Sequence, residues 1–172
     1  MLQTDGIPIL ETERLKLRPF RPDDFEDFAA MCADPEVARY LGRGTPLSRE
    51  LSWGNLAYFT GHWFLLGYGI WAVEEKETGL FAGRIGFAQP YGWPGFELAW
   101  ALVRHRWGRG YATEGARAAL AWAFEVLGQE RVISLIQPAN QASIRVAERL
   151  GERLQGRAEI LGREHLVYGI ER

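Results

Sequence analysis

The chain lacks several sequence features that would assign it to a particular class of protein. Its 172 residues include a single cysteine, Cys32, so no disulfide can form within the chain. No Cys/His cluster has zinc-ligand spacing. No stretch approaches the roughly 18 consecutive apolar residues of a membrane span, and MLQTDGIPILETER lacks the charged and apolar regions of a secretion signal. We therefore expect a cytoplasmic protein with no metal site and no membrane partner.

The chain also carries little excess charge. The net charge is −2 at pH 7 and the isoelectric point is near 6.0, with arginines spread along the sequence. This pattern lacks the basic patch of a nucleic-acid-binding protein. Hydrophobic residues make up 47% of the chain and charged residues 24%, a composition that argues against disorder. The length predicts one domain, 1–172, with its own core.

The most informative segment is RHRWGRGYATE, from Arg104 to Glu114. An apolar strand, Phe96–Val103, precedes it, and a helix with apolar residues at three- and four-residue spacing follows. A helix N-terminus offers N–H groups without intrahelical partners and about half a positive charge. Glycines let the backbone approach a phosphate, and Arg104, Arg106 and Arg109 add donors. The segment predicts an anion cradle, although a solvated strand–helix turn would give the same letters.

Two familiar phosphate-binding loops are excluded. The dinucleotide fingerprint G-x-G-x-x-G needs a third glycine, which does not follow Gly108 and Gly110 at the required spacing. The Walker loop needs a Gly-Lys pair, and the sequence contains none. A phosphate-binding role for the cradle must therefore belong to another architecture.

The hydrophobic pattern alternates strands with helices. Asp23 with Glu26 predicts a helix start of the capping-box type, and Asp34 before Pro35 predicts another. A third helix is expected to run to about Phe64. Of the two remaining helices, one follows the cradle and the other spans about Asn140 to Leu150. The segments that read as strands are RLKLRPF, YGIWAVEE, LFAGRIGFAQP, FELAWALV, VISLI (Val132–Ile136), Leu154 to Ile160 and Glu164 to Ile170.

Three segments resemble the GNAT superfamily of acyl-CoA-dependent N-acetyltransferases. Gly108 and Gly110 match the pyrophosphate loop Q/R-x-x-G-x-G/A of that family, with His105 in the Q/R slot. ETERLKLRPF, WGRGYATE and NQASIRVAERLG resemble, in that order, the Rim-type branch, which acetylates ribosomal-protein N-termini. The resemblance implies an α/β (α+β) fold with a mixed, mostly antiparallel sheet of about six to seven strands, flanked by helices and with splayed central strands.

The resemblance further implies that acetyl-CoA, as co-substrate, binds in the wedge between Phe96–Val103 and Val132–Ile136. Leu102 and Val103 would offer backbone groups to its pantetheine arm. Asn140 and Ser143 match cofactor-contacting positions of a second motif, but Asn140 is also a good helix N-cap, and Ser143 could bond its own helix backbone. The positions expected around the pyrophosphate are His105, Gly108, Arg109, Gly110, Tyr111 and Ala112.

Acetyl transfer to an amine needs a base and an acid for the departing thiolate. Glu97, on the strand before the cradle, is the leading candidate base, with an exposed strand residue as the alternative; Glu74 and Glu114 rank below it. Many family members carry a tyrosine where this chain has Ala147, so Ser143 is the candidate acid. Tyr168 is a second choice, and the thiolate could also leave unaided because its pKa is low.

The acceptor is less defined. The resemblance assigns part of the acceptor wall to the aromatic residues of WGNLAYFTGHWFLLGYGIW, although such residues usually form core, and we expect Trp93 to be exposed in a turn. His62, His105 and His165 are expected to be structural. The wall residues are Trp53, Tyr58, Phe59, Trp63, Phe64, Tyr68 and Trp71.

Two functions remain open from the sequence. The first is an N-acetyltransferase that moves the acetyl group to a primary amine, on a protein N-terminus or a small molecule, by direct attack in a ternary complex. The second is a non-catalytic acyl-CoA-binding sensor, which the missing tyrosine would suit. The partner expected for the first is the amine acceptor, not nucleic acid, and a homodimer is compatible with either.

Overall fold

The computed structural model describes residues 6–172, which form an eight-stranded sheet with helices on both faces. The helices are α1 (Phe25–Ala33), α2 (Pro35–Ala38), α3 (Arg49–Leu66), α4 (Tyr111–Glu125) and α5 (Gln141–Leu150). The strands are β1 (Leu10–Glu11), β2 (Leu15–Arg18), β3 (Ile70–Glu75), β4 (Phe81–Ala88), β5 (Glu97–Leu102), β6 (Arg131–Ile136), β7 (Arg153–Ile160) and β8 (Arg163–Glu171). The predicted mixed fold is confirmed. The additional strand is β1, whose two residues are too few to show alternation.

The order of strands in the sheet is β1-β2-β3-β4-β5-β6-β8-β7, and every neighbouring pair is antiparallel except β5 and β6. Within the described residues, the register joins β5 to β6 at one pair, Glu97 with Ile133. There the Ile133 N–H donates to the Phe96 carbonyl at 3.0 Å. The two strands then diverge toward Leu102 and Ile136, which confirms the expected splay. The diverging end leaves a wedge in the middle of the sheet.

The sheet separates two hydrophobic layers. Along β3, Ile70 and Ala72 pack toward α1 and α3, while Trp71 and Val73 pack toward α4. Strand β3 therefore reads as a continuous apolar run, because both of its faces are buried. The same alternation in β5 turns the odd-numbered residues toward α1–α3 and the even-numbered ones toward α4. Whether a residue of β5 has an odd or an even number therefore decides which face of the sheet its side chain lies on.

The predicted helix starts have different outcomes. Asp34 caps α2, since its carboxylate accepts the Glu36 N–H at 2.9 Å. The capping box predicted at Asp23 is wrong, because the chain enters α1 through a 3-10 turn, Pro22–Asp24. The carboxylate of Asp24 instead binds the buried guanidinium of Arg18 at 2.7 Å. The same carboxylate accepts the Arg21 N–H at 2.6 Å, so Asp24 both closes the 3-10 turn and supplies the countercharge that the buried cation needs.

Candidate active site

The predicted cradle sits at the N-terminus of α4. Gly108 and Gly110 have φ values of +74° and +81°, in the left-handed region that glycine adopts without steric cost. A Cβ atom added at Gly108 would meet no heavy atom within 4 Å, so the space in front of the loop is open. The first N–H groups of α4, which have no intrahelical acceptor, follow directly after this loop. The local geometry fits a phosphate group.

The arginines of the cradle are held by Glu75 at the end of β3. Arg106 Nη2 lies 2.7 Å from Glu75 Oε2, and Arg109 Nη1 lies 3.7 Å from Glu75 Oε1. The Tyr111 hydroxyl donates to Glu75 Oε1 at 2.5 Å. Hydrogen bonds from Tyr111 and then from Thr78, together with the arginine charges, lower the pKa of Glu75. Glu75 therefore anchors the cradle to the sheet, a role that the sequence did not indicate.

A second brace ties the cradle to the N-terminal segment. The Glu114 carboxylate accepts hydrogen bonds from the Thr12 hydroxyl at 2.6 Å and from Arg14 Nε at 2.7 Å. Arg14 Nη1 in turn donates to the Arg109 carbonyl at 3.0 Å. Burial alone would raise the pKa of Glu114, but the bonds from Thr12 and Arg14 lower it. Glu114 is thus bound in a structural contact, and the geometry supports its low ranking as a base.

A cleft of ≈440 Å³, the cradle cleft, lies between β5 and α5 and opens onto the cradle. Arg145 and Arg149, one helical turn apart on α5, also line it, and their four-residue spacing inside NQASIRVAERLG is a signal that the sequence prediction did not use. Val103, His105 and Arg109 do not line it. The predicted cofactor residues that line it are Leu102, Gly108, Gly110, Tyr111, Ala112, Asn140 and Ser143.

The expected roles of Val103, His105 and Arg109 need correction. The Val103 N–H donates to the Ala82 carbonyl at 3.0 Å, so it is not available in the wedge. Antiparallel pairing alternates direction, which turns the N–H of Leu102 away from β4 and toward the wedge. His105 is exposed on a 3-10 turn, and the Arg109 side chain is directed at Glu75. The local sequence cannot show where these backbone N–H groups and side chains point, because their directions depend on pairing with residues that are distant in sequence.

Asn140 and Ser143 meet Trp100 at the inner end of the cradle cleft. The Asn140 side chain accepts the Ser143 N–H at 3.2 Å, which confirms the N-cap, and it also lines the cleft. The Ser143 hydroxyl accepts a hydrogen bond from Trp100 Nε1 at 3.2 Å. Because its oxygen is used as an acceptor there, the hydroxyl hydrogen is free to be donated elsewhere. Trp100 was not singled out from the sequence.

A second cleft of ≈530 Å³, the Glu97 cleft, lies on the α1–α3 side of the sheet. Glu97 and Arg84 line it, with aromatic residues from α3 and from the loop before β5. The residues that it shares with the cradle cleft are Tyr40, Leu41, Trp100, Asn140 and Ser143. The two clefts therefore meet at the wedge, where Ser143 borders both of them.

Glu97 is buried rather than exposed, with 9% of its surface accessible. Desolvation raises its pKa to about 7, although Trp93 Nε1 donates to its carboxylate at 2.6 Å and the charge of Arg84 and the Leu135 N–H favour ionisation. Such a carboxyl is half ionised near neutral pH, which is the condition for a general base. Strongly shifted pKa values of this kind cluster at functional sites. The prediction that Trp93 is exposed is wrong, since its side chain is half-buried where it contacts Glu97.

A second buried carboxyl, Glu152, lies behind Glu97. Burial raises the pKa of Glu152 to about 7, and the charge of Glu97 adds to this effect. The Ser134 hydroxyl lies 3.0 Å from Glu152 Oε1 and 3.0 Å from the Leu98 carbonyl. Ser134 lines the Glu97 cleft, whereas Glu152 does not. No local pattern indicated this pair, since Glu152 follows a helix C-terminus, a position that predicts an exposed residue.

The other candidates for acid and base take structural roles. Glu74 forms a salt bridge with Arg18 at 2.6 Å and a longer one with Arg21 at 3.5 Å. Tyr168 is buried in a small apolar cluster with Ala147 and lines neither cleft. The structure thus leaves Glu97 and Ser143 as the candidates beside the wedge.

The predicted aromatic wall divides between core and cleft. Trp63 and Trp71 pack in the core, with ring centroids 4.8 Å apart. Trp53 and Phe64 are largely exposed and do not line the Glu97 cleft. The wall residues that do line it are Tyr58 and Phe59, joined by Trp93 and Trp100. His62 and His165 are buried, and burial lowers the pKa of both, but His165 borders the cleft.

The described part of the chain contains no group of at least three His, Cys, Asp or Glu side chains placed to hold a metal ion. Within residues 6–172, none of the helices has the length and hydrophobicity of a membrane span. The residues around the cradle cleft do suit a CoA ester: a glycine loop at a helix N-terminus for phosphates, two arginines on α5, and apolar walls near the strand edge.

Known proteins resemble this chain in sequence and in fold. An acetyltransferase structure from Agrobacterium tumefaciens str. C58 is 36% identical, with a TM-score of 0.87, and the match covers 96% of this chain and 95% of that one. Protein YkkB of Bacillus subtilis is 34% identical over 147 residues, 83% of each chain. The N-acetyltransferase YoaA of Bacillus subtilis is 29% identical over 152 residues, 87% of this chain and 85% of its own.

The Rim-type branch is a more distant likeness. A structure of RimL, a ribosomal L7/L12 alpha-N-protein acetyltransferase in complex with coenzyme A, has a TM-score of 0.79 over 95% of this chain and 98% of that one. Its identity is 16%, so it shares the fold without indicating a common acceptor.

The family model described as acetyltransferase (GNAT) domain matches residues 14–153, from β2 to the start of β7. That range contains the cradle, the wedge and the two buried carboxyls with raised pKa values, Glu97 and Glu152. The chain therefore belongs to the GNAT family and is an acetyl-CoA-dependent N-acetyltransferase.

Proposed function

We propose that the protein transfers an acetyl group from acetyl-CoA to a primary amine by direct attack in a ternary complex. The observation that carries this proposal is the meeting of two clefts at Ser143, with Glu97 buried on one side and the cradle open on the other. A ternary complex needs such an arrangement, because donor and acceptor must reach one reacting centre from separate entrances.

Each side of the wedge supplies one part of the chemistry. Acetyl-CoA brings an activated thioester. The cradle N–H groups and the α5 arginines hold its phosphates, while the Leu102 N–H points toward the position expected for the thioester oxygen. The amine nitrogen forms the new bond to the acyl carbon as the carbon–sulfur bond breaks. Glu97 takes the amine proton, directly or through water, and Ser143 donates a proton to the departing thiolate.

The Glu97→Gln variant tests this assignment, because it keeps the shape of the side chain and removes the base. We expect kcat/KM near pH 7 to fall by about a hundredfold or more. Because the pKa of Glu97 is about 7, wild-type kcat/KM should decline as the pH falls below 7 and Glu97 becomes protonated. The deficit of the variant should shrink at high pH, where free amine is abundant.

Release of CoA thiol from acetyl-CoA, measured across a panel of amines between pH 6 and pH 9, gives the comparison. Glu125→Gln is the matched control, since Glu125 is exposed at the end of α4 and lines neither cleft. Wild-type activity in Glu97→Gln at pH 7 would refute the base assignment. Tight binding of acetyl-CoA without thiol release to any amine would favour the sensor function instead.

A further inference from the structure

We infer that the acceptor amine also carries a carboxylate, and that Arg84 in the Glu97 cleft binds it. The inference rests on the proposed transfer to an amine and specifies the class of that amine: a small amino acid, in the chemical sense of one molecule with an amine and a carboxylate. It is carried by the surroundings of Arg84, by the charges of the cleft and by the placement of Arg84 relative to Glu97.

In the part of the chain that the structure describes, no carboxylate forms a salt bridge with the guanidinium of Arg84. Arg84 projects from β4 on the α1–α3 side of the sheet and lines the Glu97 cleft. Its Cζ atom lies 4.9 Å from the centre of the Phe59 ring, so the aromatic face supports the flat side of the group. Among residues 6–172, Arg84 forms no salt bridge and donates no side-chain hydrogen bond. The N–H groups at the edge of the guanidinium fork are therefore available to a ligand that enters the cleft.

The position of Arg84 is costly for a cation. Burial lowers the pKa of the guanidinium, and the charges that oppose this effect come from Cys32 and Glu97. Burial in turn raises the pKa of the Cys32 thiol, which is therefore neutral at pH 7. Glu97 is only partly ionised near that pH. A carboxylate bound to the Arg84 fork would supply the missing countercharge through paired charge-assisted hydrogen bonds.

The other side chains of the cleft favour the same class of acceptor. The titratable lining of the Glu97 cleft includes two arginines, Arg43 and Arg84, as well as His165, whose pKa burial lowers, whereas Glu97 is its acidic residue. A polyamine or an aminoglycoside carries several positive charges and would need several carboxylates, whereas this lining would repel it. An amino acid brings one charge of each sign and matches Glu97 with its amine and Arg84 with its carboxylate.

The register of the sheet places these two groups on one face at a limited separation. Arg84 and Ala88 are four residues apart on β4, and Ala88 pairs with Glu97. The backbone positions are therefore about 13 Å apart along the strand direction. Both residues line the same cleft, and the charge of each acts on the pKa of the other. One small molecule can therefore contact both groups.

A panel of matched acceptors tests the inference. It contains α-amino acids and ω-amino acids of increasing length, and each is paired with its own carboxamide, which keeps the amine and removes the negative charge. Spermidine, kanamycin and a short peptide with an amidated C-terminus complete the panel. For at least one pair, we expect kcat/KM for the acid to exceed that for the amide by about tenfold to a hundredfold.

The Arg84→Met variant should remove this preference. At pH 9, where loss of the Arg84 charge has the least effect on the ionisation of Glu97, we expect kcat/KM for the preferred acid to fall by about tenfold or more, while the value for its amide changes much less. Affinity for acetyl-CoA, measured by calorimetry, should stay unchanged because Arg84 does not line the cradle cleft. Arg153→Met is the matched control, since Arg153 is exposed on β7, away from both clefts.

The outcomes separate this inference from the proposed function. Rapid transfer to the amides, to spermidine, to kanamycin or to the amidated peptide, with no preference for any acid, would overturn the inference and leave N-acetyl transfer standing. An unchanged acid preference in folded Arg84→Met would also overturn it. Absence of transfer to every acceptor, despite acetyl-CoA binding, would overturn both.

Discussion

The cradle cleft and the Glu97 cleft each depend on a buried glutamate, and the two carboxylates are treated in opposite ways. Glu75, beneath the cradle, accepts hydrogen bonds from Tyr111 and Thr78 and faces two arginines. These partners lower its pKa. Glu97 has Trp93 as its side-chain donor, and burial raises its pKa to about 7.

The difference shows that the balance between desolvation and stabilising partners decides the role of a buried carboxylate. A carboxylate that is surrounded by donors stays ionised and holds neighbouring elements together. A carboxylate with few donors can gain and lose a proton near neutral pH, which catalysis requires and stability does not. This contrast supports the proposal that the cradle cleft serves binding and that the Glu97 cleft serves proton transfer.

The largest expected effect concerns acetyl-CoA binding at the cradle, the first of the two sites compared above. Gly110→Glu should weaken acetyl-CoA binding more than about a hundredfold, because the side chain would place a carboxylate in the phosphate cradle and add left-handed backbone strain. Calorimetry gives the affinity. Gly128→Glu is the control, since Gly128 also has a positive φ (+68°) in open space but lies after α4. Unchanged affinity in folded Gly110→Glu would exclude the cradle as the phosphate site.

A second prediction compares the two glutamates directly through stability. The pKa of Glu97 is higher in the folded state, so its contribution is complete below about pH 4.5 and is lost as the pH rises through about 7. Glu97→Gln should therefore raise the free energy of unfolding at pH 8 by about 2 to 3 kcal/mol, with little change at pH 4.5.

The Glu75→Gln variant should show the opposite sign. The pKa of Glu75 is lowered, so its contribution is present above the unfolded-state pKa and is lost in acid. Denaturant unfolding of both variants at low and high pH measures the two effects. Destabilisation by Glu97→Gln at pH 8 would mean that its hydrogen bond to Trp93 outweighs the desolvation of its carboxylate.

The smallest expected effect concerns the residue where the two clefts meet. If the Ser143 hydroxyl protonates the thiolate, Ser143→Ala should lower kcat by about tenfold, with less effect on acetyl-CoA affinity. Tyr168→Phe is the control, because Tyr168 lines neither cleft, and it should retain wild-type kcat. A change confined to KM would assign Ser143 to binding. Equal kcat in both variants would indicate that the thiolate leaves unassisted.

Much of the fold was readable from the sequence because its signals are local. Seven of the eight strands have alternating or continuous apolar letters, and Asp34 and Asn140 cap the helices that they precede. The two-residue β1 and the entry into α1 were not readable. In both cases contacts with distant residues decide the conformation, as the pairing of Arg18 with Asp24 shows.

The sequence by itself determined the cradle. Gly108 and Gly110 supply the left-handed backbone, and the helix that follows supplies the free N–H groups, all within a few consecutive residues. The tertiary structure alone decided which arginines are free and which glutamate can act as a base. Arg106 is bound by Glu75, which lies 31 positions earlier in the chain, whereas Arg84 meets no carboxylate among residues 6–172. Charge and pKa depend on burial and on partners brought together by the fold, and neither is encoded in neighbouring letters.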